Sequence, residues 1–293
     1  MRSFLYVPGN RPRMLESALS RGADAVIVDL EDAVPPAEKP AARDAVTAWL
    51  ADQEPGAPVF VRVNAGPEGV EDARAVVTAA TRASSASPAR SSRPPASGSA
   101  LRGLVVAKAD LGQLAALAGV LDAVGPAGGL GLVPLLETPQ AVLAAAAIAS
   151  APRVTRLQIG EADLAAELGV TPGEDERELL LVRSAVVLAS SAAGIEPPAA
   201  AVTTDFRDLD ALRRSTVALK RLGFRGRACI HPAQIPVVHE VFTPSPDEVA
   251  EARDLVQRFE AAGGGVCLDA RGRMVDLAVV RNARRTLSVV SAT

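Results

Sequence analysis

The chain has 293 residues, a length that fits one large α/β barrel or two ordinary domains. Hydrophobic residues make up 48% and aromatics only 3%, so a large core has to be built mostly from Ala, Val and Leu. The net charge of -3 lacks the basic excess of a nucleic-acid binder, and the two cysteines, Cys229 and Cys267, have no CxxC spacing and carry neither a zinc signature nor a disulfide framework.

The first apolar run, Phe4 to Pro8, reads as a strand, too short for a signal peptide. No stretch approaches the roughly 20 apolar residues of a membrane span, so the expected location is the cytoplasm. A helix follows over Pro12 to Arg21. Ala25 to Asp32 is a second strand ending in three acids, Asp29, Glu31 and Asp32. Ala37 to Leu50 is helical, with Lys39 and Arg43 on one face. Val59 to Asn64 is a third strand, and Pro67 to Arg82 a helix. Residues 84–100 consist of Ser, Ala, Pro and Arg with almost no large apolar residue. Such a segment buries too little surface to offset its ordering entropy, and it reads as a mobile insertion.

Regular pattern resumes with a fourth strand, Gly103 to Asp110, and a helix over Leu111 to Val124. Leu130 to Thr138 is a fifth strand, carrying Glu137 at its end. The Ala-rich stretch Pro139 to Ala149 reads as helix, and Arg156 to Asp163 as a sixth strand. A helix over Glu176 to Ala193, a seventh strand over Ala200 to Asp205, a helix over Leu209 to Leu222 and an eighth strand, Gly226 to Pro232, complete the alternation. Helices over Gln234 to Phe242 and Asp247 to Ala262 follow. Eight strands alternating with helices through short connections predict a (β/α)8 TIM barrel over residues 1–245. The remainder, 246–293, departs from the repeat: a helix, a hairpin turning at Asp269 to Gly272, and a last helix over Leu277 to Val290.

The strand ends concentrate charge. Asp29, Glu31, Asp32, Arg62, Asn64, Lys108, Glu137, Asp163 and His231 all fall where chemistry is done in α/β barrels. Acids on one rim repel unless a cation compensates. Two carboxylates without a neighbouring His or Cys suit a hard, oxygen-ligated ion such as Mg2+. A strand-end acid also caps the next helix, so for Glu137 or Asp163 taken alone both readings stand. Arg62 could grip a ligand carboxylate with its planar fork or form an ion pair with a second-strand acid. Lys108 could form a Schiff base, but an acid-rich rim keeps it charged and favours an electrostatic role. His231, followed by proline and a helix, reads as a cap or a core histidine. Tyr6 and Arg11 stand at the end of the first strand, where a basic side chain could meet a phosphate.

Several motifs recur in order along almost the whole chain: Phe4-Leu-Tyr-Val-Pro-Gly-Asn-Arg-Pro, Val28-Asp-Leu-Glu-Asp-Ala-Val, Val61-Arg-Val-Asn, Leu136-Glu-Thr, Gly160-Glu-Ala-Asp, Thr204-Asp-Phe-Arg-Asp, Ile230-His-Pro-Ala-Gln and Val241-Phe-Thr-Pro-Ser. The set resembles the citrate lyase beta-subunit-like proteins, with the malyl-CoA and citramalyl-CoA lyases, in the HpcH/HpaI aldolase superfamily. The resemblance implies a TIM barrel, Mg2+ dependence, a homotrimer or hexamer, and reversible carbon–carbon cleavage of a 3-hydroxyacyl-CoA into an acyl-CoA and a 2-oxoacid. A thioesterase-like outcome, or a non-catalytic subunit of a lyase complex, are the alternatives. Matched position by position, the resemblance makes Glu137 and Asp163 metal ligands and Arg62 the oxoacid-binding residue. It puts Glu31 and Asp32 near the metal's water shell, and Tyr6 and Arg11 beside CoA. Lys108 joins the substrate-binding set. Asp276 becomes a tail acid reaching a neighbouring subunit's site as part of a lid. The chain departs from the family pattern at Glu161, at Ala107 (where proline is usual) and in the 84–100 insertion.

Overall fold

The structure, a computed structural model, describes residues 1–54, 57–86, 100–123 and 129–291. Eight strands form a closed parallel barrel in sequence order: β1 (Ser3–Pro8), β2 (Ala25–Asp29), β3 (Val59–Val63), β4 (Leu101–Val106), β5 (Gly131–Leu136), β6 (Arg156–Ile159), β7 (Glu196–Ala200) and β8 (Gly226–Cys229). Closure comes from β1 pairing with both neighbours, Phe4 with Ala25 on one side and with Ala228 on the other. Strands covered on both faces read as unbroken apolar runs, and β2, β3 and β5 are buried at every position. The TIM barrel expected from the alternation is the observed fold.

Inside the barrel Phe4, Ala25, Ile27, Phe60, Val105, Val133, Leu135 and Ala199 pack together, with Tyr6 against them. The rings of Phe4 and Phe60 meet edge to face, with centroids 6.1 Å apart. Alternate residues of a strand face one side, so each inward row continues upward at every second position. On β2 the row runs Ala25, Ile27, Asp29; on β3 Phe60, Arg62; after Val133 and Leu135 on β5 comes Glu137. The barrel is apolar through its middle and ionic at its carboxyl end.

Several elements differ from the sequence expectation. The seventh strand is Glu196–Ala200, not Ala200 to Asp205. Pro197 and Pro198 argue against a strand on propensity, but a proline keeps its carbonyl, and that of Pro198 accepts from the Arg225 amide at 3.3 Å. The sixth strand stops at Ile159, and Gly160 opens a helix, Glu161–Leu168. Asp163 therefore lies in the first helical turn, where an acid is favoured by the helix dipole, and not on a strand. The Ala-rich segment is two short helices, Pro139–Leu143 and Ala145–Ala149, with the Thr138 hydroxyl capping the first. The helix after β3 runs Gly66–Ala86, so residues 84–86 of the expected insertion are helical, and 87–99 lie outside the described residues.

The chain divides into two compact units, Met1–Val238 and His239–Thr293. The division falls at 238/239, ahead of the 245/246 expected from the sequence, and the helix Pro246–Ala261, which Ser245 and Glu248 start with a capping box, lies within the second unit. The second unit also contains the hairpin β9 (Cys267–Leu268) and β10 (Met274–Val275) and the helix Leu277–Ser291, around Phe259, Val275 and Val280. Its turn is tied by Asp269, whose carboxylate accepts from the amides of Arg271 and Arg273, both at 2.8 Å. No described helix is long and apolar enough to cross a membrane.

Candidate active site

Arg62 anchors the ionic layer. Its Nε and Nη2 donate to the two oxygens of Asp29 at 2.7 and 2.6 Å, a planar fork on a planar carboxylate. Asp29 also accepts from the amides of Glu31 and Ala33 at 2.9 and 3.1 Å, which curls the loop after β2 back over the strand end. Arg62 Nη1 reaches Glu31 at 3.0 Å and Asp32 at 3.5 Å. Burial pulls the guanidinium pKa down, but Asp29, Tyr6 and Glu31 outweigh it and the net shift is upward. The Arg62 guanidinium lies over the Tyr6 ring at 5.2 Å. The Tyr6 hydroxyl accepts from Gln158 at 3.1 Å, and burial raises its pKa.

Lys108 follows β4 with φ at 47°, in the left-handed region that a lysine seldom occupies. That turn directs its amide to Glu137 Oε1, at 2.7 Å. Its ammonium lies 2.6 Å from Glu31, 3.9 Å from Asp32, 4.0 Å from Glu137 and 3.9 Å from Asp163. Burial lowers the Lys108 pKa, but the bond to Glu31 and the charges of Glu31, Glu137 and Asp32 raise it on balance. Burial pushes the Glu137 carboxyl up to about 7, against the Lys108 amide and the charges of Lys108 and Arg62. Burial also raises Glu31, despite Lys108 and Arg62.

A cavity of about 460 Å3 lies at the carboxyl end of the barrel. Tyr6, Asp29, Asp32, Arg62, Glu137 and Asp163 line it, with Leu135, Ile159, Ala201, Val202 and Ile230 as its apolar wall. Arg62, Glu31, Asp32, Lys108, Glu137 and Asp163, expected together from the sequence, are thus brought together. Arg11 is exposed at the start of the helix Pro12–Ala18, between the lining residues Pro8 and Met14. Asp276 belongs to the second unit, where its carboxylate accepts from the amides of Ala278 and Val279 at 2.9 and 3.0 Å and caps the last helix.

His231 is a cap: its Nδ1 accepts from the Ala233 amide at 3.1 Å, and its ring stacks on Phe206 at 4.6 Å. Glu161 lines the cavity beside Asp163, with both its oxygens bound to the buried Arg183 at 2.6 and 2.7 Å. Asn64 bonds the Leu30 carbonyl and Asp72, and Lys39 donates to it. The ion pair of Arg62 with a second-strand acid, one of its two sequence readings, is made with Asp29, whereas Gln158, the partner of Tyr6, carried no role in the sequence reading. Gln158 could have been found: Arg156 and Gln158 are polar at alternate positions of an otherwise apolar strand.

Glu137 Oε1 and Asp163 Oδ2 both stand within 4.0 Å of one point, the Lys108 ammonium, so a cation is reachable by both. Among the described residues no group of three or more His, Cys, Asp or Glu forms a ready-made cage. Two carboxylates with open positions are the pattern of Mg2+, which keeps several waters and takes few protein ligands.

The comparisons with known proteins identify the family. The family model described as HpcH/HpaI aldolase/citrate lyase matches residues 2–83 and 70–232. The chain is 35% identical over 295 residues to a (3S)-malyl-CoA thioesterase of Cereibacter sphaeroides, covering 99% of this chain and 95% of that one. It is 33% identical over 297 residues to the citrate lyase beta subunit of Escherichia coli, covering 98% and 92%. Its fold matches the crystal structure of CitE from Mycobacterium tuberculosis in complex with magnesium, acetoacetate and coenzyme A, with a TM-score of 0.75, 29% identity and coverage of 98% and 97%. With the closed barrel and the ordered motifs, these matches make the chain a member of the HpcH/HpaI aldolase/citrate lyase family.

Proposed function

We propose that the chain is a Mg2+-dependent carbon–carbon lyase that splits a 3-hydroxyacyl-CoA reversibly into an acyl-CoA and a 2-oxoacid. The observation that carries this reading is one cavity lined by Arg62 together with Glu137 and Asp163. The CitE relative, with magnesium, a small oxoacid and coenzyme A bound, supports it. Glu137 and Asp163 would hold Mg2+, which when bound supplies Lewis-acid polarisation of the oxoacid oxygens.

The chain's own residues do the rest. Arg62 uses two of its five donors on Asp29 and a third on Glu31, which leaves donors for the oxoacid carboxylate. Held rigid by Asp29, the guanidinium needs no reorganisation when negative charge grows beside it. In cleavage the substrate hydroxyl gives up its proton to Asp32, the exposed acid of the β2 loop that lines the cavity. The carbon–carbon bond breaks, its electron pair goes to the acyl-CoA α-carbon, and the hydroxyl carbon becomes the oxoacid carbonyl. Asp276, acting in a neighbouring subunit of a homotrimer or hexamer as part of a lid, delivers a proton to the acyl-CoA α-carbon. Arg11, exposed after the end of β1, flanks the CoA entry, and Tyr6 lines the cavity against the Arg62 guanidinium.

A second reading, hydrolysis of the thioester, is favoured by the malyl-CoA thioesterase relative. The test offers malyl-CoA, citramalyl-CoA and citryl-CoA to the purified chain with and without EDTA. Acyl-CoA plus oxoacid, abolished by EDTA, is the expected result. Free CoA plus hydroxyacid would establish the hydrolase. Turnover of none of the three, with the thioesters still bound, would reject both and leave a partner-dependent subunit.

A further inference from the structure

Five carboxylates meet at the rim, Asp29, Glu31, Asp32, Glu137 and Asp163, against two cations, Arg62 and Lys108. The two cations are not equivalent. Arg62 is locked by its fork on Asp29 and sits on the Asp29, Glu31 and Asp32 side. Lys108 is the cation that spans the cluster, within 4.0 Å of Glu31, Asp32, Glu137 and Asp163. Its backbone is pinned by the amide bond to Glu137, but its side chain is 42% exposed where those of Glu31 and Glu137 are 7% and 4%. The head can therefore leave while the main chain stays.

We infer that Lys108 is a tethered counter-cation for the carboxylates that would hold Mg2+, keeping Glu137 and Asp163 converged in the metal-free chain and leaving when the divalent ion enters. A single ammonium on a flexible stem suits this role, because it offsets repulsion as a point charge without a fixed bidentate geometry. Glu137 and Asp163 stand 4.0 and 3.9 Å from the ammonium, so a divalent ion held by both would come close to it, and the two cations repel each other. Lys108 thus holds the metal-free rim together and weakens Mg2+ binding. Once displaced toward solvent, its charge is available to an incoming anionic ligand. The inference rests on the Mg2+ reading of Glu137 and Asp163.

The test is Mg2+ titration by calorimetry and thermal unfolding without metal, on the intact chain and on Lys108→Met, Lys108→Gln and Lys108→Arg. Removing the charge is expected to tighten Mg2+ binding about tenfold or more. It is also expected to lower the metal-free Tm by about 2–4 °C. Lys108→Arg, which keeps the charge, should bind Mg2+ close to the parent value. If the parent binds Mg2+ and both neutral variants bind it no tighter, Lys108 is no competitor and the inference is overturned. If the parent itself binds no Mg2+, the metal reading fails first, and the shared-site inference falls with it. Lys108→Gln repeats the test with a polar side chain should Lys108→Met fold poorly, and circular dichroism establishes which variants are folded.

Discussion

Gly160 lies directly against Glu137. A Cβ at Gly160 would stand 2.6 Å from Glu137 Cβ and 2.8 Å from its Oε2. The end of β6 therefore has to be bare for the carboxylate at the end of β5 to occupy its position. Gly160→Ala is expected to push Glu137 aside. Overpacking of this kind costs about 1–3 kcal/mol. Displacing a metal-binding carboxylate by its support is expected to weaken Mg2+ binding about 10–100-fold. Calorimetry and urea unfolding check both; unchanged Mg2+ affinity would mean that Glu137 is not a ligand.

Asp29 and Arg62 form a buried pair whose members fail separately. Arg62→Met leaves Asp29 enclosed without its cation and is expected to cost about 3–5 kcal/mol of stability. Adding Asp29→Asn to Arg62→Met is expected to recover part of that loss in urea unfolding, because no charge is then left unpaired. Lyase turnover should stay absent in both, since the oxoacid has lost its cation. Full stability in Arg62→Met alone would show that the loop amides suffice to hold Asp29.

Glu137 gives metal binding a pH dependence of predictable sign. Burial raises its carboxyl to about 7 in the folded chain, so between its ordinary carboxylate range and about 7 the folded state holds a proton that the unfolded state has lost. In the absence of metal this contribution lowers stability as pH rises through that window and is constant above it. A bound cation needs the carboxylate, so below about 7 its binding must release the proton. For one such group, Mg2+ affinity at pH 6 is expected to be about tenfold weaker than at pH 8. Calorimetry in buffers of different ionisation enthalpy should detect proton release at pH 6 and little at pH 8; equal affinity at the two values would remove Glu137 from the ligand set.

Glu161 is expected to act on stability and not on substrate choice. Its two bonds to Arg183 tether the helix that carries Asp163, and Arg183 keeps Glu176 at 2.8 Å when Glu161 is altered. Glu161→Gln should cost about 1–2 kcal/mol, the scale of a lost charge-assisted bond with its partner still served. The ranking of malyl-CoA, citramalyl-CoA and citryl-CoA should not change. Glu161 lines the cavity, and a reordered ranking would show that it takes part in substrate choice from that wall.

Much of the barrel was legible in one dimension because strand and helix periodicities are local. The runs Val59 to Val63 and Gly131 to Leu136 are apolar at almost every position, and Arg62 and Glu137 interrupt or end them. A charged residue at the carboxyl end of a buried strand is visible without knowing the neighbour it meets. The local pattern misled where propensity and tertiary pairing disagree. Pro197 and Pro198 concealed β7, which exists because β6 and β8 flank it on both sides. Gly160 concealed the change from strand to helix that sets the exposure of Asp163.

Contacts across the barrel had no local signal. Asp29 and Arg62 are 33 positions apart, and Glu31 and Lys108 are 77 apart. Residue types and strand faces follow from the order of amino acids, since each strand's alternation is written in its own few residues. Which acid meets which cation depends on parallel register and on closure of β1 against β8, which bring distant rim positions to within hydrogen-bond reach. The charges of the site are thus a property of the chain, and their pairing is a property of the closed barrel.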